Sequence, residues 1–265
     1  MIKRLLFQLY QWYLNTSYSA GKGFLSRLFS KLGFAKYNIR GIHLYLSPVG
    51  IIDRYLINGA ELNSILVEEM EKKLKPGDYF LDVGANIGYF SLLAASKFDA
   101  QVFSFEPSPR ELKRFLGNIS LNQSSCITCF PYGLGKEDGD NFINLTDCHN
   151  PTMNYIGSKF KGESHRIRVK SANNLISKNI LNGVRICKID VEGYETEVIQ
   201  GFGADLGLMK ECTFIVEVTP EFLIRANSSV KELYDCFELH GFIPKYGIIE
   251  NHQWEEVWSY NTKRL

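Results

Sequence analysis

The chain has 265 residues, of which 45% are hydrophobic and 22% are charged, and its formal net charge is +1. This is the composition of an ordinary globular protein, and the near-zero charge excludes a strongly acidic or basic partner such as nucleic acid for the chain as a whole. Six cysteines in a chain of this length do not resemble a disulfide framework, so a reduced, cytoplasmic protein is predicted.

The first 52 residues differ in charge from the rest of the chain. They hold seven basic residues and no Asp or Glu, whereas the remaining 213 residues hold 23 basic and 29 acidic residues, a balance of −6. A basic segment on a mildly acidic body indicates contact with an anionic surface, for which a membrane is one candidate.

Residues 1–14 place apolar and aromatic side chains at helical spacing, which predicts an amphipathic helix too short to span a bilayer. Three interpretations stay open: a helix that packs on its own domain or on a partner in a homo-oligomer, peripheral membrane contact through residues 1–36 at the inner face of the membrane, and a signal peptide. We expect an N-terminal extension over residues 1–60, made of this helix and a strand, and a single domain over residues 61–265.

The predicted elements then follow in chain order. Residues 41–47 alternate like a strand, and residues 61–74 form a helical face that ends at Pro76-Gly77. Residues 79–93 have three parts in order: an apolar run that ends in Asp82, a stretch that contains glycines, and residues that suit a helix. This order of strand, glycine turn and helix opens a nucleotide-binding α/β unit, because the turn offers backbone N–H groups and lets a ligand approach closely.

Strands and helices alternate from this point to the end of the chain. Capping-box patterns begin helices after Ser108 and Ser229, and residues 136–164 are predicted to be irregular. The further strands are expected at residues 101–105, 127–132, 166–170, 184–189, 213–218, 242–246 and 256–260. This alternation predicts an α/β fold with a mainly parallel sheet and helices on both faces.

Four predicted strands carry an acid at or near their carboxyl ends, where ligands bind in such sheets: Asp82, Glu106, Asp190 and Glu217. Glu106 follows Asp82 by 24 residues, a spacing that suits an acid accepting hydrogen bonds from ribose hydroxyls. Both dinucleotides and S-adenosylmethionine use such an acid.

The glycine turn separates these two cofactors. A dinucleotide turn reads G-x-G-x-x-G, whereas this chain has Gly84, Asn86 and Gly88 after Asp82. A carboxylate at Asp82 repels a pyrophosphate and attracts the ammonium and sulfonium groups of S-adenosylmethionine. The pattern therefore favours S-adenosylmethionine. The two alternatives are a dinucleotide and a turn that binds no ligand.

Three segments resemble the FkbM-type methyltransferase family: F-L-D-V-G-A-N-I-G at residues 80–88, F-E-P at 105–107 and K-I-D-V-E-G-Y-E at 188–195. The resemblance implies a Rossmann-like class I methyltransferase with a seven-stranded sheet and O-methylation of a sugar or secondary-metabolite hydroxyl. It also implies that Asp82, Gly84, Asn86 and Gly88 hold the methionine end of S-adenosylmethionine, and Glu106 its ribose. Asn173 stands where members often carry an acid, which puts in doubt any role that needs a charge there.

Methyl transfer to a hydroxyl requires alignment of the reactants and a base for the proton. Glu192 is the first candidate for that base, with helix capping as its alternative, and Asp190 is assigned to cofactor or acceptor positioning. His149 is a second candidate base or acceptor ligand. No metal is assigned, although Asp190, Glu192 and Glu217 could together gather a divalent cation.

The sequence thus predicts a methyltransferase that uses S-adenosylmethionine and acts on a hydroxyl of a small-molecule or glycan acceptor, in particular a surface glycan or its lipid-linked precursor. The alternatives are a non-catalytic cofactor-binding or scaffold protein of the same fold and an NAD-dependent oxidoreductase.

Overall fold

The structure is a computed structural model that describes residues 35–47, 50–145, 154–249 and 252–262. The predicted helix at residues 1–14 and the candidate base His149 lie outside these ranges. Among the described residues, no helix is long and apolar enough to cross a membrane.

The described chain begins with a hairpin and two helices. β1 (Ala35–Ile39) and β2 (Ile42–Leu46) pair in antiparallel fashion, and α1 (Ile51–Ile57) and α2 (Ser64–Lys73) follow. The prediction of β2 and α2 is confirmed, whereas β1 was not predicted. Asn63 caps α2, since its side-chain oxygen accepts a hydrogen bond from the Leu66 N–H at 2.9 Å.

Strands and helices continue to alternate along the rest of the chain. In order, they are β3 (Tyr79–Val83), α3 (Tyr89–Phe98), β4 (Gln101–Phe105), α4 (Pro109–Asn122), β5 (Ile127–Phe130), β6 (Gly133–Leu134), β7 (Gly139–Leu145), β8 (Tyr155–Gly157), β9 (Glu163–Lys170), α5 (Ala172–Leu175), α6 (Lys178–Gly183), β10 (Val184–Ile189), α7 (Glu195–Phe202), a 3₁₀ segment (Gly203–Leu208), β11 (Thr213–Val218), α8 (Pro220–Arg225), α9 (Val230–Leu239), β12 (Phe242–Pro244) and β13 (Trp254–Tyr260).

A seven-stranded sheet forms the centre of the fold, in the order β12-β13-β11-β10-β3-β4-β5. The five strands from β11 to β5 are parallel, and β13 runs antiparallel to both β11 and β12. The predicted mainly parallel, seven-stranded sheet is therefore confirmed. This topology brings the carboxyl ends of β3, β4 and β10 together at one edge, where a ligand site is expected.

Both faces of this sheet are covered by apolar packing. Leu81 and Val83 of β3 belong to a core that includes residues of α7 and α9, while Phe80 belongs to a core with α2, α3 and β2. Successive strand residues point to opposite faces, which explains this division. The hairpin residues of β2 thus share a core with α2 and α3, and the division of the chain at residue 60 stays a prediction.

A second sheet of four strands, called here the insertion sheet, has the order β6-β9-β7-β8. The prediction that residues 136–164 are irregular was wrong, because β7 and β8 lie within them. Their apolar residues Ile143, Leu145 and Ile156 pack with Ile167 and Val169 of β9 in a small separate core. Polar residues hide this pattern in the sequence, since the buried Asn144 side chain hydrogen-bonds the Ser158 carbonyl and the Ser164 hydroxyl.

The two predicted helix starts lie where expected, but only one forms the expected cap. The Ser229 side chain accepts a hydrogen bond from the Glu232 N–H at 3.1 Å. The Ser108 hydroxyl instead donates to the Glu111 carboxylate, and no side-chain cap bond reaches the backbone of α4.

Candidate functional site

A cleft opens at the carboxyl ends of β3, β4 and β10. It has a volume of about 880 Å³, part of which is open to solvent. Its lining includes Gly84 to Ile87 of the glycine turn (residues 84–88), Glu106, and Asp190 to Glu192 of a second turn, called here the acidic turn (residues 190–194). Ile143 and Ile156 of the insertion sheet complete one wall. The cleft therefore brings together residues from all three segments that carry the family resemblance.

The glycine turn is shaped by two close approaches. Gly84 and Gly88 have φ values of +80° and +82°. A Cβ at Gly84 would lie 1.9 Å from the Asp190 carbonyl oxygen, and one at Gly88 would lie 1.9 Å from the Phe115 ring. Only glycine fits these positions, so the turn lies directly against the strand end that carries Asp190.

Asn86 occupies the middle of the glycine turn with a left-handed φ of +52°. Its Oδ1 atom is buried and has no hydrogen-bond partner among the described residues. A buried polar atom without a partner is costly, and a ligand that donates a hydrogen bond in the cleft would satisfy it. The turn therefore fits a cofactor with N–H or O–H donors.

Glu106 lines the cleft beside this turn and is only 6% exposed. Its carboxylate accepts hydrogen bonds from the N–H groups of Asn86 and Ser108, each at 2.8 Å. Burial raises the pKa of Glu106 to about 7, although these two N–H donors oppose the shift. Each oxygen keeps a further lone pair, so the carboxylate can still accept from two ribose hydroxyls.

Asp82 does not line the cleft. It is fully buried, accepts a hydrogen bond from the Ser91 hydroxyl and lies 3.6 Å from the Lys188 ammonium group. Burial raises the pKa of Asp82 despite the opposing effects of Lys188 and Ser91. The predicted direct contact between Asp82 and a cofactor thus has no support in this geometry, because the side chain is enclosed by protein.

Lys188 is a residue of the site that the sequence analysis did not single out. Its Nζ donates to the Gly84 carbonyl at 2.7 Å and lies 3.2 Å from the Asp190 carboxylate, although the residue is only 3% exposed. Burial lowers its pKa, but the carboxylates of Asp190 and Asp82 outweigh that effect and hold the pKa above its usual value. The available signal was a lysine within the buried run V-R-I-C-K-I.

Three carboxyl groups gather at the acidic end of the cleft. Asp190, Glu192 and Glu217 each offer an oxygen, and these atoms lie within 4.8 Å of one another. Burial, followed by the nearby Asp190 charge, raises the pKa of Glu192 to about 9 and that of Glu217 to about 11. The cluster can therefore hold and release protons, and its oxygens are also of the kind that bind divalent cations.

Glu195, and not Glu192, binds the backbone amides within the acidic turn. Glu195 accepts hydrogen bonds from the N–H groups of Val191 and Gly193, at 3.2 and 3.1 Å. The N-cap position of α7 is held by Tyr194, whereas Glu192 precedes it by two residues and contributes to the cleft lining.

Comparison with known proteins agrees with this arrangement. The model of the methyltransferase FkbM domain matches residues 82–246, more than half of the chain. "Methyltransferase 1" of Beauveria bassiana is 29% identical over 147 residues, which cover 48% of this chain and 59% of that protein. "Hexuronic acid methyltransferase AglP" of Haloferax volcanii is 29% identical over 137 residues, 52% of this chain and 53% of that protein. The chain thus spans little more than half the length of these curated relatives.

Among solved structures, M. jannaschii TYW2 in complex with AdoMet is 12% identical over 85% of this chain and 84% of its own, with a TM-score of 0.40. That likeness is too weak to add to the comparison. The family match covers the glycine turn, Glu106 and the acidic turn, so it confirms the resemblance seen in the sequence. It also supports the predicted methyltransferase class and S-adenosylmethionine as the methyl donor. The chain belongs to the methyltransferase FkbM domain family.

Proposed function

We propose that this protein is an S-adenosylmethionine-dependent O-methyltransferase acting on a sugar hydroxyl of a surface glycan or of its lipid-linked precursor. The observation that carries this proposal is the cleft in which a glycine turn, a buried glutamate and a carboxyl cluster lie together. The sugar acceptor is supported by the name of the Haloferax relative, which refers to a hexuronic acid. The lipid-linked precursor rests on the basic, aromatic N-terminal segment alone.

Binding of the methyl donor is assigned to the glycine turn and Glu106. Backbone N–H groups and the Asn86 side chain would hold the methionine end, and the Glu106 carboxylate would accept from the ribose hydroxyls. Asp82 is reassigned to a supporting role, because it pairs with Lys188, whose ammonium group holds the Gly84 carbonyl. When bound, S-adenosylmethionine supplies a methyl group activated by its sulfonium.

The acceptor hydroxyl is assigned to the acidic end of the cleft. Asp190 would orient the hydroxyl, and Glu192 would take its proton as the methyl group is transferred. Because burial raises the pKa of Glu192 to about 9, most of this residue is protonated at neutral pH. The base form therefore becomes more abundant as the pH rises.

No metal ligand is assigned in this proposal. Asp190, Glu192 and Glu217 could together bind a divalent cation, but the Lys188 ammonium group already lies 3.2 Å from Asp190 and supplies a positive charge there. His149 lies outside the described residues and stays a second candidate for the base. Peripheral membrane contact, homo-oligomer formation and a cytoplasmic location also stay predictions.

Calorimetry and a methyl-transfer assay, both in EDTA-containing buffer, test the proposal. By calorimetry, the wild-type chain should bind S-adenosylmethionine and not NAD, and Glu192→Gln should bind the methyl donor equally well. In the transfer assay, Glu192→Gln should lose activity. Absence of binding would contradict the methyltransferase assignment. Binding without transfer by the wild-type chain to any acceptor would instead favour the non-catalytic alternative, and transfer that requires added metal would contradict the metal-free site.

A further inference from the structure

The backbone of the acidic turn is held in a conformation that it would not adopt alone. Glu192 has a φ of +58° and Gly193 a φ of +107°. The left-handed region is unfavourable for a residue with a side chain, so neighbouring contacts must stabilise it at Glu192. One neighbour is α8, since a Cβ at Gly193 would lie 2.3 Å from the Phe222 carbonyl oxygen.

Hydrogen bonds from two residues hold the turn. The Glu195 carboxylate binds the N–H groups on either side of Glu192, those of Val191 and Gly193. The Glu192 carbonyl is bound separately, by the Arg225 guanidinium, whose Nη2 donates to it at 2.6 Å. A charged donor makes a shorter and stronger hydrogen bond than a neutral one, so this contact favours the observed geometry of Glu192.

Arg225 is itself fixed in place, although its side chain is exposed. Its guanidinium carbon lies 4.0 Å from the centre of the Tyr155 ring and 4.4 Å from that of Phe222. Both distances are within the range of cation–π attraction. Tyr155 belongs to β8 of the insertion sheet and Phe222 to α8, so Arg225 links the acidic turn to two other elements.

The charge of Arg225 also acts on Glu192. The carboxyl groups that raise the pKa of Glu192 are Asp190 and Glu195, and the charges of Asp190 and Glu192 in turn raise the pKa of Glu217. The cations that lower the pKa of Glu192 are Arg225 and Lys188. Arg225 therefore favours the ionised form that a base requires, in the direction opposite to burial.

We propose that Arg225 is a positioning residue, which holds the Glu192 carbonyl so that the carboxyl group of Glu192 faces the cleft. This inference rests on the proposed role of Glu192 as the base. It assigns a function to Arg225 through the turn and not through contact with the acceptor.

Hydrogen–deuterium exchange on the 265-residue protein, with and without S-adenosylmethionine, tests the positioning directly. In Arg225→Gln, peptides spanning residues 190–195 should exchange about tenfold faster or more, because the turn opens more often. Arg225→Lys keeps a charged donor, so the exchange rate of the same peptides should stay within about threefold of the wild-type rate. Arg166→Gln is the matched control, since Arg166 is an exposed arginine of β9 that pairs with Asp140, and it should leave these peptides unchanged.

Kinetics with an accepted glycan complete the test. Arg225→Gln should lower kcat about tenfold or more with little change in the KM for S-adenosylmethionine, and Arg225→Lys should recover part of the loss. Unchanged exchange at residues 190–195 in Arg225→Gln would overturn the inference, as would an equal loss of kcat in the Lys variant. If the proposed function itself were wrong, the wild-type chain would not bind S-adenosylmethionine, and this result is distinct from a failure of the Arg225 inference.

Discussion

The Glu192 carboxyl group experiences opposing electrostatic influences from its neighbours. Burial and the neighbouring carboxyl groups Asp190 and Glu195 disfavour its ionised form, whereas Arg225 and Lys188 favour it, and the net result is a pKa of about 9. A carboxyl group with so high a pKa is a strong base once it is ionised. The same shift limits how much of the base is present at neutral pH.

Replacing Glu192 by Gln should lower kcat by about 10²–10⁴-fold, the usual contribution of a positioned base. The dissociation constant of S-adenosylmethionine should stay within about threefold of the wild type. Glu221→Gln, which changes an exposed glutamate of the neighbouring α8, is the control and should leave both quantities unchanged. In the wild type kcat should rise with pH up to about pH 9, and an activity that stays flat between pH 6 and 9 would contradict the assignment.

The raised pKa of Glu106 predicts that the affinity for the cofactor depends on pH. Its pKa is raised to about 7 by burial, so the carboxylate that accepts from the ribose is lost as the pH falls. The affinity for S-adenosylmethionine should therefore weaken about tenfold between pH 8 and pH 6. Calorimetry of Glu106→Gln is the comparison, since it should bind more weakly at pH 8 and with less pH dependence. The same slope in both proteins would show that Glu106 does not bind the ribose.

At the scale of elements, the glycine turn is the feature most sensitive to a single methyl group. Gly84→Ala places a Cβ against the Asp190 carbonyl, whereas Gly77 has a similar φ of +85° and open space around it. Gly77→Ala should cost about 1–2 kcal/mol of unfolding free energy from the left-handed backbone alone. Gly84→Ala should cost about 1–3 kcal/mol more and abolish binding of S-adenosylmethionine. Equal midpoints in urea unfolding of the two variants would contradict the close approach.

The elements that form the site are predictable from the sequence because each is a buried apolar run that ends in an acid. β3, β4, β10 and β11 follow this pattern, and their parallel order brings their carboxyl ends together. The strands of the insertion sheet are less evident, because the buried Asn144 interrupts the apolar alternation of β7 with a polar side chain.

Two acidic or basic residues of the site, Lys188 and Glu255, could not be predicted from the sequence because their positions depend on tertiary contacts. The role of Lys188 depends on the pairing of β10 with β3, which places its ammonium group beside Asp82. Glu255 of β13 lies opposite Glu217 of β11 in the antiparallel register of the two strands. Burial, together with the charge of Asp190, raises the pKa of Glu255 to about 7. An antiparallel strand inserted late in the chain gives no local signal for that register, so this acid is visible only in the fold.

At the scale of the whole molecule, the basic N-terminal segment predicts contact with an anionic membrane. The 265-residue protein should float with liposomes that contain anionic lipid, and a version that lacks residues 1–34 should not. This truncation ends before β1, so the hairpin that packs on the central sheet is kept. Equal flotation of both versions would contradict membrane contact through this segment and favour packing on the domain or on a partner.

The central claim is that the cleft transfers a methyl group from S-adenosylmethionine to a sugar hydroxyl. The most direct measurement is transfer of labelled methyl from the donor to a panel of neutral and uronic-acid oligosaccharides, followed by treatment of the product with alkali. We expect label on at least one glycan as an alkali-stable methyl ether, and about a hundredfold less label or lower at equal time with Glu192→Gln. Label that alkali releases as methanol would show a carboxyl acceptor and contradict O-methylation of a hydroxyl, and the absence of any labelled glycan would contradict the sugar acceptor.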